Sequence, residues 1–374
     1  MKNLIIDTDI FSDVDDAGAL LLACTLPESN LLAVNVNETS RYSALAVSGI
    51  LGHYGRGHVP VGIRRPLSDA VFFDSRNFVA GEFVSKVAYH FRHSGGSLDW
   101  DRRAEDAWDP VRLYRKVLSE AEDGSVTVVS IGFLDNLSAL LSSPPDTFFP
   151  LPGPALVARK VSHLVIQGGN YPPSQSSSNP NPANVSRPLR PAWNFSGPNA
   201  SHAPAAAHVI SAWPGRITFL GRDVGVNVLT GGPLMQPFLN GEPWRRDPVR
   251  MAYLWYTYGG LFTEEGKVKA RPAWDPLVVL YAVKGIECGL FEEVGGKGRK
   301  GWNVMDEKEG WNRWVWEDEF GKDGADGAKR PNGEHMFLRL KVKPEEAAKV
   351  IDELFLEGVR AGYLRSSVKE DSRL

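Results

Sequence analysis

Cysteine is nearly absent from this chain, and its scarcity excludes several classes of protein. Only Cys24 and Cys288 occur among 374 residues, and we interpret both as core residues because each lies in an apolar stretch. Two distant cysteines supply neither a disulfide framework nor a zinc site built on thiolates. The eight histidines show no metal-ligand spacing either. Neither residue type indicates a zinc-binding or disulfide-stabilised protein.

A strong net charge and long apolar runs are also lacking. The 42 basic and 45 acidic side chains give a formal net charge of -3, which provides no electrostatic basis for binding nucleic acid or an anionic membrane. No apolar run reaches the roughly 20 residues that span a bilayer. The first strand also begins too near the N-terminus to leave room for a signal peptide. We therefore predict a cytoplasmic protein whose partner is a small molecule, not nucleic acid or a membrane.

Strand-like apolar runs alternate with helical patterns along the chain, which indicates βα units and a mostly parallel sheet. The predicted strands are Leu4–Asp7, Leu31–Val36, Val59–Ile63, Val126–Ser130, His163–Gln167 and Ile217–Leu220. The predicted helices are Asp16–Leu26, Ser40–Tyr54, Asp109–Ala121, Leu134–Leu141, Ala200–Trp213, Val249–Gly259, Asp275–Lys284 and Pro344–Ala361. We predict one α/β domain over residues 1–374, with a mostly parallel central sheet flanked by helices.

Two stretches depart from the alternating pattern. Residues 171–191 are rich in Pro, Ser and Asn, which predicts a long loop of the kind that covers active sites. Residues 292–335 are dense in Gly, Trp and mixed charge, which predicts an irregular or β-hairpin excursion before the last helix. We assign no role to this second stretch from the sequence.

The most informative segment is the acidic turn after the first strand. Five aspartates occupy ten residues there: Asp7, Asp9, Asp13, Asp15 and Asp16. A helix N-cap explains one or two of them, but carboxylates packed this closely repel one another unless a cation neutralises them. Hard oxygen ligands suit Ca²⁺ or Mg²⁺, although the glycine and terminal glutamate of an EF-hand loop are missing. The turn therefore predicts a metal site at the carboxyl end of a strand.

Taken alone, this turn fits two kinds of enzyme. One is a phosphotransferase of the haloacid-dehalogenase type, with Asp7 as the nucleophile and Asp9 as the acid beside Mg²⁺. The other is a hydrolase in which the carboxylates hold a cation that orients water. The rest of the chain distinguishes them.

Six segments, in order along the chain, resemble the inosine–uridine-preferring nucleoside hydrolase family. They are residues 7–17, 33–39, 60–67, 128–137, 167–169 with 192–195, and 273–277. The resemblance extends from Asn3 to about Lys284 and favours the hydrolase over the phosphotransferase. Two extra residues in the first turn place Asp13 outside the family pattern. The resemblance implies a nucleoside hydrolase-like fold with a Rossmann-like open sheet, and it implies homo-oligomers, either dimers or tetramers.

The expected reaction is hydrolysis of an N-glycosidic bond, which passes through an oxocarbenium-like sugar. Such a reaction needs a positioned water and groups that stabilise a cationic ribose. The resemblance implies Ca²⁺ held by Asp9, Asp16, Asp275 and the backbone carbonyl of Ile131. Asp9 would contact both the metal and the water, which makes it the candidate general base.

Carboxylate and amide side chains near the carboxyl edge of the predicted sheet are the predicted ribose contacts. Asp15, Asn37 and Asn194 match family positions that bind the ribose hydroxyls, and Asn37 is also counted with the catalytic residues. A further family asparagine falls in the Pro/Ser/Asn-rich loop, where we prefer Asn184 over Asn170 and Asn181.

Two departures from the family pattern bear on specificity. Trp274 replaces a histidine that protonates the leaving base in many members, and Trp193 lies beside the matched asparagine. The purine-preferring branch carries tryptophan at both positions, where a base stacked on an indole gains about 1–3 kcal/mol. The eleven tryptophans of the chain leave core packing as the alternative role for both.

Ala192 is the second departure, because it replaces a glutamate that accepts a hydrogen bond from a ribose hydroxyl. We expect the smaller side chain to open space near the 5′ position. Arg187 and Arg190, just upstream, would then meet an anionic 5′ group.

The sequence as a whole predicts a calcium-dependent N-glycosyl hydrolase of ribonucleosides, with purines favoured. The catalytic candidates are Asp9, Asn37 and Trp274, and the substrate-binding candidates also include Trp193. Two alternatives stay open, because the family histidine and glutamate are missing. One is a family member that binds ribosides or sugars without hydrolysing them, and the other is a hydrolase of a modified N-riboside.

Overall fold

The large sheet is built from strands that begin in the first residues of the chain and end near residue 340. A computed structural model of the chain describes residues 1–72, 82–101, 103–171, 190–235, 246–258, 270–296, 298–321 and 329–371. The strands are β1 (Lys2–Thr8), β2 (Ser29–Val36), β3 (Val61–Ile63), β4 (Val126–Ser130), β5 (Val161–Gln167), β6 (Arg216–Leu220), β7 (Leu229–Thr230), β8 (Arg271–Pro272), β9 (Phe291–Val294), β10 (Gly301–Met305), β11 (Asn312–Trp316) and β12 (Glu334–Leu340). The helices are α1 (Asp15–Thr25), α2 (Arg41–His53), α3 (Val84–His90), α4 (Pro110–Glu120), α5 (Asp135–Leu141), α6 (Gly153–Lys160), α7 (Trp193–Ser196), α8 (Ala203–Ala212), α9 (Arg222–Gly225), α10 (Pro248–Tyr258), α11 (Trp274–Lys284) and α12 (Pro344–Asp371).

Eight strands form one sheet in the order β3-β2-β1-β4-β5-β6-β12-β9. The pairings from β3 through β12 are parallel, and β9 pairs antiparallel to β12 at the edge. Two short antiparallel pairs, β10-β11 and β7-β8, lie outside this sheet. Parallel strands direct all of their carboxyl ends to one edge, so the loops that follow β1, β2, β4 and β5 meet there.

The central strands are buried along most of their length and carry mainly apolar residues, because helices cover both faces of the sheet. Along β1, Leu4 and Ile6 belong to one buried cluster, whereas Ile5 belongs to another. The alternation follows from the two-residue period of a strand. The first cluster includes residues of α1, α2, α11 and α12, and the second includes residues of α4, α5, α6 and α8.

The predicted fold class is confirmed, and most predicted elements are present. Val126–Ser130 has the predicted bounds, and the other five predicted strands differ by at most two residues at either end. All eight predicted helices occur, although α12 continues to Asp371 and α8 begins at Ala203. None of the helices in the described part of the chain combines the length and apolarity needed to cross a membrane.

The 292–335 stretch was only partly understood from the sequence. Its predicted β-hairpin is present as β10 and β11, which pair antiparallel. The prediction missed β12, which begins at Glu334 and pairs parallel to β6 within the main sheet. The first and last residues of this stretch belong to the main sheet, through β9 and β12, and the hairpin between them lies outside it.

Candidate active site

The acidic turn lies at the carboxyl edge of the sheet, near its middle. β1 ends at Thr8 and α1 begins at Asp15, so the turn connects a buried strand to a buried helix. Strand β1 lies between β2 and β4, which brings Asn37 and Ile131 close to it on either side. The backbone N–H groups of both residues donate to β1, at 2.8 Å to the Thr8 and Asp7 carbonyls respectively.

Three buried carboxylates form a group that has the composition of a cation site. Asp15, Asp16 and Asp275 each offer an oxygen, and these oxygens lie within 4.8 Å of one another. Asp9, which was predicted as a ligand, is half-buried beside this group but is not one of the three. Asp15, predicted as a ribose contact, is one of them. The structure thus gathers all four predicted carboxylates at this edge, and Asp15 belongs to the group of three.

The electrostatics of the group fit a divalent cation bound by oxygen. Burial raises the pKa of Asp9, Asp15, Asp16 and Asp275 well above the usual range, and the negative charges of neighbouring carboxylates raise each pKa further. Charged carboxylates this deep and this close are unfavourable unless a positive charge neutralises them. The donor set is entirely oxygen, as Ca²⁺ requires.

Asp7 has a different role from the carboxylates that follow it. Its side chain accepts hydrogen bonds from Tyr114 Oη at 2.8 Å, from Asn136 Nδ2 at 3.2 Å and from Asn37 Nδ2. Burial raises the pKa of Asp7 to about 8, and these three hydrogen bonds oppose the rise. Asp7 therefore ties β1 to the loops and helices beside it. Tyr114 lies on α4 and was not among the predicted site residues.

Asp15 connects the acidic turn to α11, the helix that carries Asp275. Its Oδ2 accepts the backbone N–H groups of Trp274 at 3.1 Å and Asp275 at 3.2 Å. These are two of the N–H groups that a helix start leaves without intrahelical partners, and a carboxylate is favourable there because of the helix dipole. Asp15 thereby fixes the first turn of α11 against the N-terminal turn.

The exit of β4 contacts Asp9 directly. A Cβ atom at Gly132 would lie 2.5 Å from the Asp9 backbone nitrogen and 2.9 Å from its Cβ. Only glycine allows this approach. Ile131, whose carbonyl was predicted as a metal ligand, immediately precedes Gly132 and is buried, so its peptide lies at the same place as the carboxylates.

Trp274 is held in a fixed position at the start of α11. Its backbone N–H donates to Asp15, and its indole Nε1–H donates to the Arg222 carbonyl at 2.9 Å. Gly225 leaves room for the ring, because a Cβ there would lie 2.2 Å from Trp274 Cδ1. The ring is partly exposed and packs against the core cluster of the α1 side. The ring therefore packs against the core and still presents part of its aromatic surface, and the stacking of a base on it stays a prediction.

Asn194 and Trp193 lie next to each other on α7 and differ in burial. Asn194 is buried, and its Nδ2 donates to Gln167 Oε1 at 2.7 Å, which joins α7 to the end of β5. Trp193 is 46% exposed, and its ring centroid lies 6.0 Å from that of Phe133. Trp193 therefore presents part of its ring to solvent next to the buried Asn194.

A polar network lies alongside the ends of β2, β3 and β4, and the sequence did not reveal it. Asp135 pairs with His202 Nδ1 at 2.5 Å and with Arg64 Nη2 at 3.1 Å. The His202 ring stacks on Phe133 with centroids 3.8 Å apart. Burial raises the pKa of Glu38, and the positive charges of His202 and Arg64 oppose the rise. Because Glu38 follows Asn37, this network borders the carboxylates.

Two residues near the site have roles in the structure that limit their part in chemistry. Asp13 pairs with Arg271 Nη2 at 3.0 Å, consistent with its place outside the family pattern. Ala192 is 3% exposed, packs in the core and forms the N-cap of α7. The open space expected near the 5′ position stays a prediction.

Three candidates fall outside the described residues, namely Asn181, Asn184 and Arg187. Asn37, by contrast, is well placed. Its Oδ1 is buried and accepts no hydrogen bond from the described residues, which leaves it as an acceptor for a hydroxyl group.

A family comparison agrees with the site. The model of the family described as inosine-uridine preferring nucleoside hydrolase matches residues 4–353. A pyrimidine-specific ribonucleoside hydrolase, RihA of Photobacterium profundum, is 30% identical over 179 residues. That alignment covers 45% of this chain and 49% of the relative, so it spans about half of the relative's length.

Solved structures share the fold. A plant nucleoside hydrolase, the PpNRh1 enzyme, superposes with a TM-score of 0.63 at 20% identity, covering 95% of this chain and 98% of that one. The purine-preferring ribonucleoside hydrolase from Gardnerella vaginalis superposes with a TM-score of 0.58 at 18% identity, covering 97% and 99% respectively. At these identities the likeness establishes the fold and leaves the substrate to be argued from the site.

Proposed function

The chain belongs to the inosine–uridine-preferring nucleoside hydrolase family, and from that premise we propose that it hydrolyses the N-glycosidic bond of ribonucleosides, with purine nucleosides favoured. The relatives named above are ribonucleoside hydrolases, which are N-glycosyl hydrolases. The observation that carries the proposal is the group of buried carboxylate oxygens within 4.8 Å of one another. A protein that only binds ribosides has little need of such a group.

The same edge of the sheet supplies the residues that would hold Ca²⁺. Asp9, Asp16 and Asp275 and the carbonyl of Ile131 are the proposed ligands, and Asp15 lies within the same carboxylate group. When bound, the ion would neutralise these charges and lower the pKa of a coordinated water.

The protein's own side chains perform the remaining steps. Asp9 accepts a proton from the attacking water as the general base. Asn37 Oδ1 accepts a hydrogen bond from a ribose hydroxyl, and Asn194 binds the ribose with its amide oriented by Gln167. The negative side chains beside the sugar stabilise the positive charge that develops on it as the bond to the base breaks.

The leaving group is the reason for favouring purines. Trp274 is held by its indole N–H, and Trp193 is 46% exposed, so each presents an aromatic surface. Stacking of a base on an indole contributes about 1–3 kcal/mol, and it raises the basicity of a purine so that solvent protonates the departing base. The pyrimidine-specific relative makes the opposite preference the alternative to test.

The test is release of free base from a panel of purine and pyrimidine ribonucleosides, measured by chromatography. Protein treated with a chelator should be inactive, and added Ca²⁺ should restore release from inosine, adenosine or guanosine. Faster release from uridine or cytidine would keep the hydrolase and refute the purine preference.

Two variants of the acidic turn sharpen this test. Asp9→Asn should abolish turnover while the protein stays folded. Asp13→Asn is the matched control, because Asp13 lies in the same turn but pairs with Arg271. No release from any nucleoside by calcium-loaded protein would favour the two alternatives, riboside binding without turnover or hydrolysis of a modified N-riboside.

A further inference from the structure

The β10-β11 hairpin, residues 301–316, has no part in the chemistry described above. Its strands pair from Gly301 opposite Trp316 to Met305 opposite Asn312. Its tip is closed by backbone hydrogen bonds from Asp306 N to the Trp311 carbonyl at 2.8 Å and from Gly310 N to the Asp306 carbonyl at 3.0 Å. The hairpin lies outside the main sheet, so its location needs an explanation other than sheet formation.

One strand of the hairpin holds the chain where it leaves β5. Asn312 Oδ1 accepts the backbone N–H of Asn170 at 2.9 Å, and Asn312 Nδ2 donates to the Asn170 carbonyl at 3.1 Å. The side-chain amide thus pairs with both backbone groups of one residue, as a neighbouring strand would. Asn170 lies three residues after Gln167, the partner of Asn194.

The Asn312 amide is itself oriented by a second asparagine. Asn312 Nδ2 also donates to Asn303 Oδ1 at 3.0 Å, and Asn303 Nδ2 donates to Tyr171 Oη at 3.1 Å. Asn303 is fully buried, and its backbone N–H donates to His335 Nδ1 at 3.1 Å. A buried network with this many satisfied groups fixes one conformation and is costly to break.

The tip of the hairpin contacts α7, the short helix that carries Asn194. A Cβ atom at Gly310, where φ is +80°, would lie 2.8 Å from both Cα and Cβ of Ser196. Ser196 is the last residue of α7, two residues after Asn194. The hairpin therefore contacts the chain at Asn170 and again at Ser196, on the two sides of the ribose-binding residues.

We propose that Asn312 is a positioning residue for ribose binding, which acts by holding the Asn170 backbone and, through it, the Gln167–Asn194 pair. This inference rests on the proposed function, since it concerns the ribose side of the same site. The carboxylates of the cation site come from the turn after β1, from α1 and from α11, and in the described part of the chain they have none of these contacts with the hairpin. Loss of Asn312 should therefore weaken ribose binding and leave the affinity for Ca²⁺ unchanged.

The experiment compares Asn312→Ala with the wild-type protein, with Lys308→Ala as the matched control because Lys308 is exposed on the same tip. In Asn312→Ala, KM for the best nucleoside should rise on the order of 10-fold or more, with kcat reduced much less. The affinity for Ca²⁺ should stay unchanged. Hydrogen exchange at residues 167–171 should become faster. A KM within about twofold of the wild-type value, with the protein folded, would overturn the proposal.

A second variant covers the case in which Asn312→Ala does not fold. Asn312→Asp keeps an oxygen for the Asn170 N–H but loses the Nδ2 donor to the Asn170 carbonyl and to Asn303 Oδ1, so it should raise KM in the same direction, with faster exchange at residues 167–171. An unchanged KM would overturn the proposal.

If the wild-type protein hydrolyses no nucleoside, the proposed function fails, and titration of D-ribose into the wild-type and Asn312→Ala proteins tests the positioning role separately. Weaker ribose binding by the variant supports that role, and equal binding overturns it.

Discussion

At the scale of single residues, Trp274 combines a structural contact with an exposed aromatic surface. Its indole N–H bond to Arg222 and its contact with Gly225 fix the ring, and a fixed ring needs little ordering when a base stacks on it. Stacking on this ring should speed the departure of a poor leaving group such as a purine base, and should have little effect on a leaving group that departs unaided. The identity of the leaving group is therefore the variable to change.

We predict that Trp274→Ala lowers hydrolysis of a purine nucleoside far more than hydrolysis of a nitrophenyl riboside, whose leaving group departs unaided. The stacking energy of about 1–3 kcal/mol corresponds to roughly a 5- to 150-fold loss on the purine. Trp274→Phe keeps a stacking surface and should lose less. The measurement is kcat/KM on both substrates, and equal losses would show that the indole does not assist the leaving group.

Asp352 is a carboxyl whose protonation should change stability. It lies on α12, and its Oδ1 accepts the Gly231 N–H at 2.7 Å, while burial raises its pKa from 3.8 to about 6. Because the folded state binds this proton more tightly than the unfolded state, the stabilisation is present below about pH 4 and is lost as the pH rises to about 6.

We predict that Asp352→Asn raises the free energy of unfolding by about 1–2 kcal/mol at pH 8 and has little effect at pH 4. Asparagine keeps an acceptor for Gly231 and has no charge to bury. Urea unfolding at the two pH values measures the difference, and Glu357→Gln on the exposed side of the same helix serves as the control. An equal rise in the free energy of unfolding at both pH values would show that the effect does not come from the charge of Asp352.

At the scale of elements, the sequence predicted local structure well and long-range pairing poorly. Strand β4 has its predicted bounds because its apolar run is buried on both faces. β12 was missed because its buried apolar run is short and follows a stretch dense in Gly, Trp and mixed charge, so the residue pattern alone did not mark it as a strand. The carboxylates of the site were recognisable by composition. The capping of α11 by Asp15 was not, because it depends on where α11 packs.

The cap formed by Asp15 gives a prediction at this scale. Asp15→Asn and Asp15→Ala both remove the charge, but only asparagine keeps an oxygen for the Trp274 and Asp275 N–H groups. In calcium-saturated protein, we expect Asp15→Asn to be more stable than Asp15→Ala by about 1 kcal/mol, within the range for helix caps. Urea unfolding measures the difference. Equal stabilities would mean that the cap contributes nothing to the position of α11.

At the scale of the whole molecule, the carboxylate group joins distant parts of the family-matched region. Asp15 and Asp275 are 260 residues apart in the chain, yet their oxygens lie within 4.8 Å. Bringing them together requires the sheet and the helices of the α1 side to be assembled. A cation that binds there recognises the folded chain alone and stabilises the whole fold by mass action.

We therefore predict that removing Ca²⁺ lowers the global stability of the protein. A free ion concentration 100 times the Kd contributes about 2.7 kcal/mol, so the urea midpoint should fall after chelation and recover when Ca²⁺ is added. Asp275→Asn should lose most of this calcium-dependent gain, because it removes the only carboxylate that α11 contributes to the group. Asp13→Asn should retain the gain, because Asp13 is paired with Arg271. A midpoint that is the same with chelator and with Ca²⁺ would show that these carboxylates do not bind the ion, and the mechanism built on Asp9 would fall with it.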